Sequence, residues 1–394
     1  MQHRLSSVAI LLVASLFVSA EAPRGAYVPT ATDPAGLVVH EWGTFTSVAS
    51  DDGAAVEWVP QLGPQELPCF VERAQMNIKG WLPASVRMET PVLYFYSGEK
   101  RTVDVRVKFR RGAVTEWYPR ADVFPREILP ASLKLPGLEG TIAWNGVNVM
   151  PRAVETYPVG EKSNHYYAAR KTDASPIEVA GQREKFLFYR GVGNFTVPLS
   201  ARLSGDGQVT AASSNARSVG DIMLFENKGG TIKFRALQSK EPSVTLALPS
   251  SAASMEAVRV SLAAALVQRG LYDKEAAAMI ETWRDSWFEE GQRLFYIVDR
   301  RDVDEILPLD ITPAPAAVAR VFVGRIELIT PSVLSEVCAA LDAGDKATVR
   351  RYGRFLRPIL QRISETIPAA RAASWQRQQQ FALMAVSPSP TGCN

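Results

Sequence analysis

The hydrophobic periodicity of this chain changes once, and that change restricts the folds open to it. From Leu37 to about Leu248, apolar residues alternate with polar ones, the period of a β-strand with one buried face. After Pro249 the apolar residues recur every three to four positions, as they do on helices. The sequence therefore predicts an α+β protein in which an N-terminal antiparallel, β-sandwich-like domain precedes a smaller α+β domain with C-terminal helices. The predicted segments are a signal peptide at 1–22, the β-rich domain at 23–250, the α+β domain at 251–386 and a tail at 387–394.

Two stretches illustrate the strand prediction. Thr102 to Phe109 places four apolar residues on one face and three charged residues on the other. Asn145-Gly146 is the dipeptide that two-residue hairpin turns prefer, so it predicts a hairpin between strands at 141–144 and 147–150.

The second half shows helix signals followed by strand signals. A serine cap at Ser251 or Ser254 predicts a helix that ends near Arg269, and Asp273 is a candidate cap for the next helix. Strands are predicted at 294–298 and 318–329, and Thr330 followed by proline predicts another helix start. The last predicted helix, 349–363, carries arginines 350, 354 and 357 opposite its apolar side, which is typical of a solvated face.

Residues 1–22 have the features of a secretory signal. Arg4 supplies the positive start, an apolar run extends from Val8 to Ala20, and Ala20-Glu21-Ala22 offers small residues for cleavage. We therefore expect an exported protein, periplasmic or extracellular, without a later membrane-spanning segment.

Composition and cysteine content narrow the class further. The 394 residues are 46% hydrophobic and 22% charged, a composition typical of a globular protein. The net charge of +3 is small for this length, so the overall electrostatic field does not indicate a nucleic-acid partner. Cys338 fits a helical pattern as a buried free thiol, and Cys69 and Cys393 could form a disulfide.

One stretch near the predicted mature N-terminus concentrates polar side chains. In Val39–Val48 the alternation of a strand places His40 and Trp42 on one face and Glu41 on the other, and Gly43 allows a close approach. Together with four other stretches it resembles a group of exported bacterial proteins of unassigned function, a resemblance that covers most of the mature chain and implies no activity. The other four stretches are Met88–Tyr96, Thr115–Pro119, His165–Arg170 and Phe186–Gly193.

The sharpest enzyme hypothesis is a divalent-metal site that supports hydrolysis. His40, Glu41 and His165 are suitable ligand types, and Asp173 or Glu116 could complete the coordination sphere. The histidine pair of the helical zinc-protease motif is absent from the sequence. The hypothesis therefore requires that residues distant in sequence converge.

Carboxylate chemistry is a second possibility. Glu41 and Glu116 each precede a tryptophan and are candidate catalytic residues for sugar cleavage, provided that their carboxyl groups lie about 5 to 9.5 Å apart. A Ser-His-acid triad would have to use His40 or His165, and no nucleophile-elbow motif occurs.

A binding role without catalysis requires fewer specific residues than an enzyme site does. Tryptophan rings suit sugar faces, so exposed aromatics could form a glycan platform. The candidate binding residues are Trp42, Trp117, Tyr166 and Arg170. We expect a binding or structural role toward a glycan or another cell-envelope component, with the metal-dependent hydrolase as the alternative.

Overall fold

The computed structural model describes residues 36–60, 67–76, 82–160, 164–368 and 372–386. The strands in this part of the chain are β1 (Val38–Ala49), β2 (Glu72–Arg73), β3 (Gln75–Met76), β4 (Val86–Tyr96), β5 (Arg101–Arg110), β6 (Gly112–Tyr118), β7 (Asp122–Phe124), β8 (Glu127–Ile128), β9 (Glu139–Val149), β10 (Ile177–Val179), β11 (Gln182–Glu184), β12 (Leu187–Gly193), β13 (Leu199–Leu203), β14 (Gln208–Ser213), β15 (Gly220–Lys228), β16 (Thr231–Ser239), β17 (Ser243–Ala247), β18 (Gly291–Ile297), β19 (Leu309–Thr312) and β20 (Ala317–Leu328). The helices are α1 (Met255–Gln268), α2 (Asp273–Trp287), α3 (Arg300–Ile306), α4 (Pro331–Ala343), α5 (Lys346–Arg351), α6 (Leu356–Thr366) and α7 (Ala372–Val386), with 3-10 turns at Ser132–Lys134, His165–Arg170 and Gly353–Phe355. The α+β class is confirmed, with a sheet-rich N-terminal part and C-terminal helices.

In the part of the chain that the structure describes, strand β1 lies in the middle of a sheet of 15 strands. It pairs antiparallel with β4 on one side and parallel with β20 on the other. The order across the sheet is β11-β10-β9-β6-β12-β4-β1-β20-β18-β15-β16. A separate three-stranded sheet has the order β13-β14-β17.

The two faces of β1 contribute to different cores, as its alternation predicts. Val39 and Phe45 belong to one core, shared with β5 and the three-stranded sheet. Val38 and Trp42 belong to a second core, which α1 and α2 cover. At the end of the strand, Val48 packs in a third core with the C-terminal helices. Every residue of β1 is buried, because layers cover both faces.

Two glycines allow close packing beside this strand. An ideal Cβ on Gly43 would lie 2.6 Å from the Phe322 ring, and one on Gly324 would lie 1.9 Å from the Tyr296 ring. Glycine at these positions permits aromatic rings to lie directly against the backbone.

Helices begin near Ser250, but strands of the large sheet also occur after this position in the sequence. Strands β18 and β20 follow this position in sequence, yet they lie between β1 and β15 in the same sheet. All of the described residues fall in one compact unit. The predicted boundary thus marks a change in local structure within a shared sheet.

The predicted hairpin at Asn145-Gly146 is wrong, because the chain passes straight through these residues within β9. Val103 pairs with Val147 and Val105 with Trp144, so two residues of β9 oppose Asp104 alone. Gly146 has a φ of 69°, and its N–H donates to Asp104 Oδ1 at 2.7 Å. These are the features of a β-bulge, which uses the same glycine conformation as the turn.

The helix caps agree with the sequence predictions at two starts. Ser254 Oγ accepts the N–H of Ala257 ahead of α1, and Thr330 Oγ1 accepts that of Val333 at the start of α4. Asp273 is the first residue of α2 and not its cap. The segment between β18 and β20 contains α3 and β19.

Cys69 is disulfide-bonded, and Cys338 is a free, half-buried thiol. The predicted signal peptide and Cys393 lie outside the described residues. Among the described residues, no helix is long and apolar enough to cross a membrane.

Candidate functional site

The two histidines of the metal hypothesis contact opposite ends of α2. His40 Nδ1 lies 2.7 Å from Glu275 Oε2, and Glu275 Oε1 accepts the Tyr96 hydroxyl at 2.8 Å. His165 Nε2 lies 2.7 Å from Asp285 Oδ2. Ten residues of helix separate the two acidic partners, which corresponds to about 15 Å along the axis. The histidines are therefore too far apart to share one ion.

Glu41 points to the face of β1 opposite His40. Its Oε2 accepts Arg320 Nε at 2.5 Å, and its Oε1 accepts the Tyr189 hydroxyl. Within the described part of the chain, no three His, Cys, Asp or Glu side chains form a group that could hold a metal. The predicted grouping of His40, Glu41 and His165 is thus wrong, because the strand alternation and α2 hold its members apart.

The two candidate catalytic carboxylates also lie apart. Glu116 is paired in register with Arg190, whereas Glu41 bonds to Tyr189, the preceding residue of β12. Neighbouring residues on a strand point to opposite faces, so Glu41 and Glu116 lie on opposite sides of the sheet. They do not form a pair suited to glycoside cleavage.

The aromatic candidates for a glycan platform are buried. Trp42, Trp117 and Tyr166 are at most 6% exposed and pack in the cores. Arg170 binds Glu184 through Nη2 at 2.6 Å, and its guanidinium lies over tyrosine rings. These residues stabilise the fold and offer no open platform. The tyrosines beneath Arg170 are Tyr157, Tyr166 and Tyr167.

The most unusual polar feature is a chain of seven charged side chains on the α2 side of the sheet, which sequence reasoning missed. Arginines and glutamates alternate along it, and it begins and ends with arginine. We call it the Arg–Glu chain. In order of contact its members are Arg87, Glu89, Arg354, Glu289, Arg325, Glu327 and Arg293, and successive N–O distances are 3.3, 3.4, 2.9, 2.7, 3.0 and 3.0 Å.

Strand β1 brings the two halves of the Arg–Glu chain together. Thr46 pairs in register with Arg87 of β4 on one side and with Arg325 of β20 on the other. Its hydroxyl also donates to Glu89 Oε2 at 2.8 Å. Arg354 reaches the chain from the 3-10 turn between α5 and α6, so the C-terminal helices close over it.

The charges in the Arg–Glu chain do not balance. Each glutamate contacts two arginines, so the chain itself contains four arginines and three glutamates. Arg325, at the centre of the sheet, is 0% exposed. Burial, together with the nearby positive charge of Arg293, lowers the pKa of Arg325 from its usual value. Burial would raise the pKa of Glu89, but Arg87 and Arg354 outweigh it and hold that pKa low.

Several hydrogen-bond donors beside this excess charge have no acceptor among the described residues. Arg325 uses Nη2 for Glu289 and Glu327, whereas its buried Nε and Nη1 have no partner. The indole N–H groups of Trp42, Trp283 and Trp287 are in the same state, and so are the Thr44 hydroxyl and Arg320 Nη2. Guanidinium and indole groups can only donate, so the missing partner is an acceptor.

These donors belong to elements that pack against one another in the core under α2. Thr44 shares the face of β1 that carries Trp42 and Thr46, which is the face covered by α2. Trp283 and Trp287 lie one turn apart on α2, and the Trp287 carbonyl accepts Arg293 Nη1 at 2.8 Å. The unpaired donors therefore lie between β1, β20 and the end of α2, beside the Arg–Glu chain.

The sequence carried a partial signal for this site. In β20, Arg325 and Glu327 interrupt an otherwise apolar run, which is where a buried polar group is expected to be functional or paired. The predicted solvated arginine face is wrong for Arg354, which is 8% exposed, whereas Arg350 and Arg357 are exposed.

Comparisons with known proteins add little. No protein-family model matches the sequence, and no curated protein is significantly similar to it. Among solved structures, the yeast delta-COP-I mu-homology domain resembles the chain with 8% sequence identity and a TM-score of 0.30, over 75% of this chain and 98% of that domain. A likeness at this TM-score supports no conclusion about function.

Proposed function

We propose that this chain is an exported ligand-binding protein whose ligand occupies the donor-rich site between β1, β20 and the end of α2. The observation that carries the proposal is the set of buried donors without an acceptor, centred on Arg325. Buried polar groups in folded proteins are almost always hydrogen-bonded, and each exception calls for a partner. A ligand that accepts hydrogen bonds would satisfy these donors.

Two features support export. Residues 1–22 have the charge and hydropathy pattern of a secretory signal. Cys69 is disulfide-bonded, and disulfides persist mainly outside the reducing cytoplasm. We therefore place the binding role in the periplasm or outside the cell.

Binding is favoured over the hydrolase alternative by the positions of the candidate catalytic groups. The hydrolase requires His40, Glu41 and His165 at one metal, and the structure holds each against a different partner. Binding requires only donors fixed by the surrounding fold, and rigid strands and a helix supply them here.

Analysis of the compounds that the purified protein releases tests the proposal. The mature protein is unfolded by heat, and the supernatant is examined by mass spectrometry and ion chromatography. We expect wild type to release a stoichiometric amount of one compound, and Arg325→Met to release much less. Arg183→Gln, which alters an exposed ion pair on β11, is the matched control and should match wild type. Absence of any stoichiometric compound from wild type would contradict the proposal.

A further inference from the structure

We propose that a groove on the outer face of the sheet binds a neutral glycan chain. The groove lies over β5, β9 and β7 and has a volume of about 440 Å³. Small-molecule sites in proteins have volumes of roughly 300 to 1,000 Å³. The groove shares no residue with the donor-rich site, so the inference goes beyond the proposed function and does not depend on it. Its shape, its exposed aromatic ring and the chemistry of its walls support the proposal.

The strand register gives the groove its shape. On this face β9 carries the short side chains of Thr141 and Ala143, and each of them pairs in register with a longer side chain on both neighbouring strands. Paired residues point to the same face of a sheet. Short side chains in the middle and longer ones on either side therefore leave a trough along β9. The longer residues are Phe124 and Lys108 beside Thr141, and Asp122 and Arg106 beside Ala143.

The opposite face of the same strands is packed in the core, which holds the groove in shape. Val107, Val123 and Ile142 alternate with the groove residues and are buried. A site built on paired strands keeps its side chains at fixed spacing more reliably than a site on loops. The groove is therefore formed before any ligand arrives.

The Phe124 ring is an exposed apolar surface on the β7 side of the groove. It is 67% exposed, whereas its neighbour Val123 is 7% exposed. Single exposed apolar residues are common on protein surfaces, but this ring lines a concave surface that is otherwise polar. Aromatic rings pack well against the C–H groups on the face of a sugar ring. Phe124 can thus stack on a sugar whose hydroxyls meet the polar walls.

The charges of the groove balance, which favours a neutral ligand. Two basic side chains, Arg106 and Lys108, and two acidic ones, Asp122 and Glu139, line it. Lys108 Nζ lies 3.5 Å from Glu139 Oε1, so these two charges compensate each other. A strongly charged ligand of either sign would bring like charges together, which opposes binding. A neutral ligand meets no such repulsion.

The walls offer both donors and acceptors. The exposed Arg106 guanidinium can only donate, and no hydrogen bond or ion pair joins it to any residue that the structure describes. On the other wall, Asp122 Oδ2 accepts Asn145 Nδ2 at 3.2 Å, and the carboxylate retains further acceptor capacity. A hydroxyl group both donates and accepts. Neighbouring hydroxyls of one sugar can therefore serve the donor on β5 and the acceptor on β7.

The length of the groove favours a chain of sugars over a single one. Its lining extends along β9 from Glu139 to Asn145. At about 3.4 Å per residue in a strand, this corresponds to roughly 20 Å. A trough of this length is several times as long as one sugar ring is wide. It therefore suits an oligosaccharide lying along the strand.

The test titrates the mature protein with four neutral hexasaccharides in separate calorimetric experiments. These are cellohexaose, maltohexaose, xylohexaose and the hexamer of N-acetylglucosamine. Hexamers of galacturonic acid and of glucosamine provide the anionic and cationic comparisons. We expect saturable binding of at least one neutral chain, weaker binding of both charged ones, and little change in the neutral affinity when salt is added, because salt screens only charge interactions.

Two variants locate the binding in the groove. Phe124→Ala removes the stacking ring and Arg106→Gln removes the guanidinium, so we expect each to weaken the affinity about tenfold. Both side chains are exposed, so the melting temperature should stay that of wild type. The matched controls are Phe381→Ala, at a 45% exposed ring of α7, and Arg235→Gln, at an exposed position of β16. Both controls should bind as wild type does.

Each other outcome contradicts a defined part of the proposal. Absence of saturable binding for all four neutral hexasaccharides would overturn the glycan assignment. Preference for a charged hexamer would overturn the neutral class. If a neutral chain binds equally to wild type and to both groove variants, it binds elsewhere and the groove is not its site. None of these results concerns the compound released from the donor-rich site, so the two proposals can fail separately.

Discussion

Arg320 and Arg325 lie on the same strand, and both are almost fully buried, but their electrostatic surroundings differ. Burial opposes the charge of Arg320, yet Glu41 outweighs it and raises the pKa of Arg320. Burial and Arg293 lower the pKa of Arg325. The first arginine therefore belongs to a compensated ion pair that stabilises the fold, whereas the second marks the candidate site.

At the residue scale, Glu89 should govern part of the acid stability. Its folded-state pKa lies below the ordinary value of 4.5, because Arg87 and Arg354 outweigh the effect of burial. The resulting stabilisation is present above the unfolded-state pKa and is lost as the pH falls through the folded-state pKa. In urea unfolding at several pH values, we expect Glu89→Gln to lose about 3 to 5 kcal/mol at pH 7 and to show a shallower loss of stability in acid.

Glu178→Gln provides the control for this measurement. It breaks an exposed pair with Arg183, so the free energy of unfolding should change by no more than about 1 kcal/mol. A Glu89→Gln protein with wild-type stability at pH 7 and an unchanged acid limb would contradict the role given to the Arg–Glu chain.

Residue types alone gave the wrong site. Histidines and carboxylates bind metals, so the sequence points to His40, Glu41 and His165, but it does not reveal that α2 separates the two histidines. The Arg–Glu chain could not be assembled from sequence, because its members come from β4, β18, β20, a 3-10 turn and the segment between α2 and β18. Only the interruption of the apolar run in β20 indicated it.

At the scale of elements, the sequence predicts strands and helix starts correctly where the pattern depends only on neighbouring residues. The alternation of β1 and β5 and the caps Ser254 and Thr330 are confirmed, because each depends on neighbouring residues. The bulge at Asn145-Gly146 was misread, because a turn and a bulge need the same positive φ at glycine. Only the partner strand β5 distinguishes the two.

Gly324 should be essential to the packing of β20 against β18. An added Cβ would overlap the Tyr296 ring, at 1.9 Å, so we expect Gly324→Ala to destabilise the protein by about 1 to 3 kcal/mol or more in chemical denaturation. Adding Tyr296→Leu should restore part of this loss by removing the ring.

Gly205→Ala is the matched control for Gly324→Ala. Nothing lies within 4 Å of a Cβ at Gly205, so the free energy of unfolding should change little. Equal effects of the two substitutions would show that backbone entropy, and not the close ring, determines the cost at Gly324.

At the scale of the whole molecule, one large sheet incorporates strands from both ends of the chain. We therefore expect a fragment of residues 23–250 to lack cooperative folding. Without β20, one edge of β1 would lose its partner, and without α2 the face that carries Trp42 would be exposed. Circular dichroism and urea unfolding of the fragment test this prediction. A cooperative transition would show that the residues before 250 form an independent domain.

The pairing of β1 with β20 also determines when folding can be completed. Val38 pairs with Ala317, so the central strand has only one of its two neighbours until most of the chain has been synthesised. Pairings between such distant segments carry a large loop-closure cost and form slowly. The nascent chain therefore carries a buried-type strand with one open edge until β20 has been synthesised, and an open edge of this kind favours aggregation.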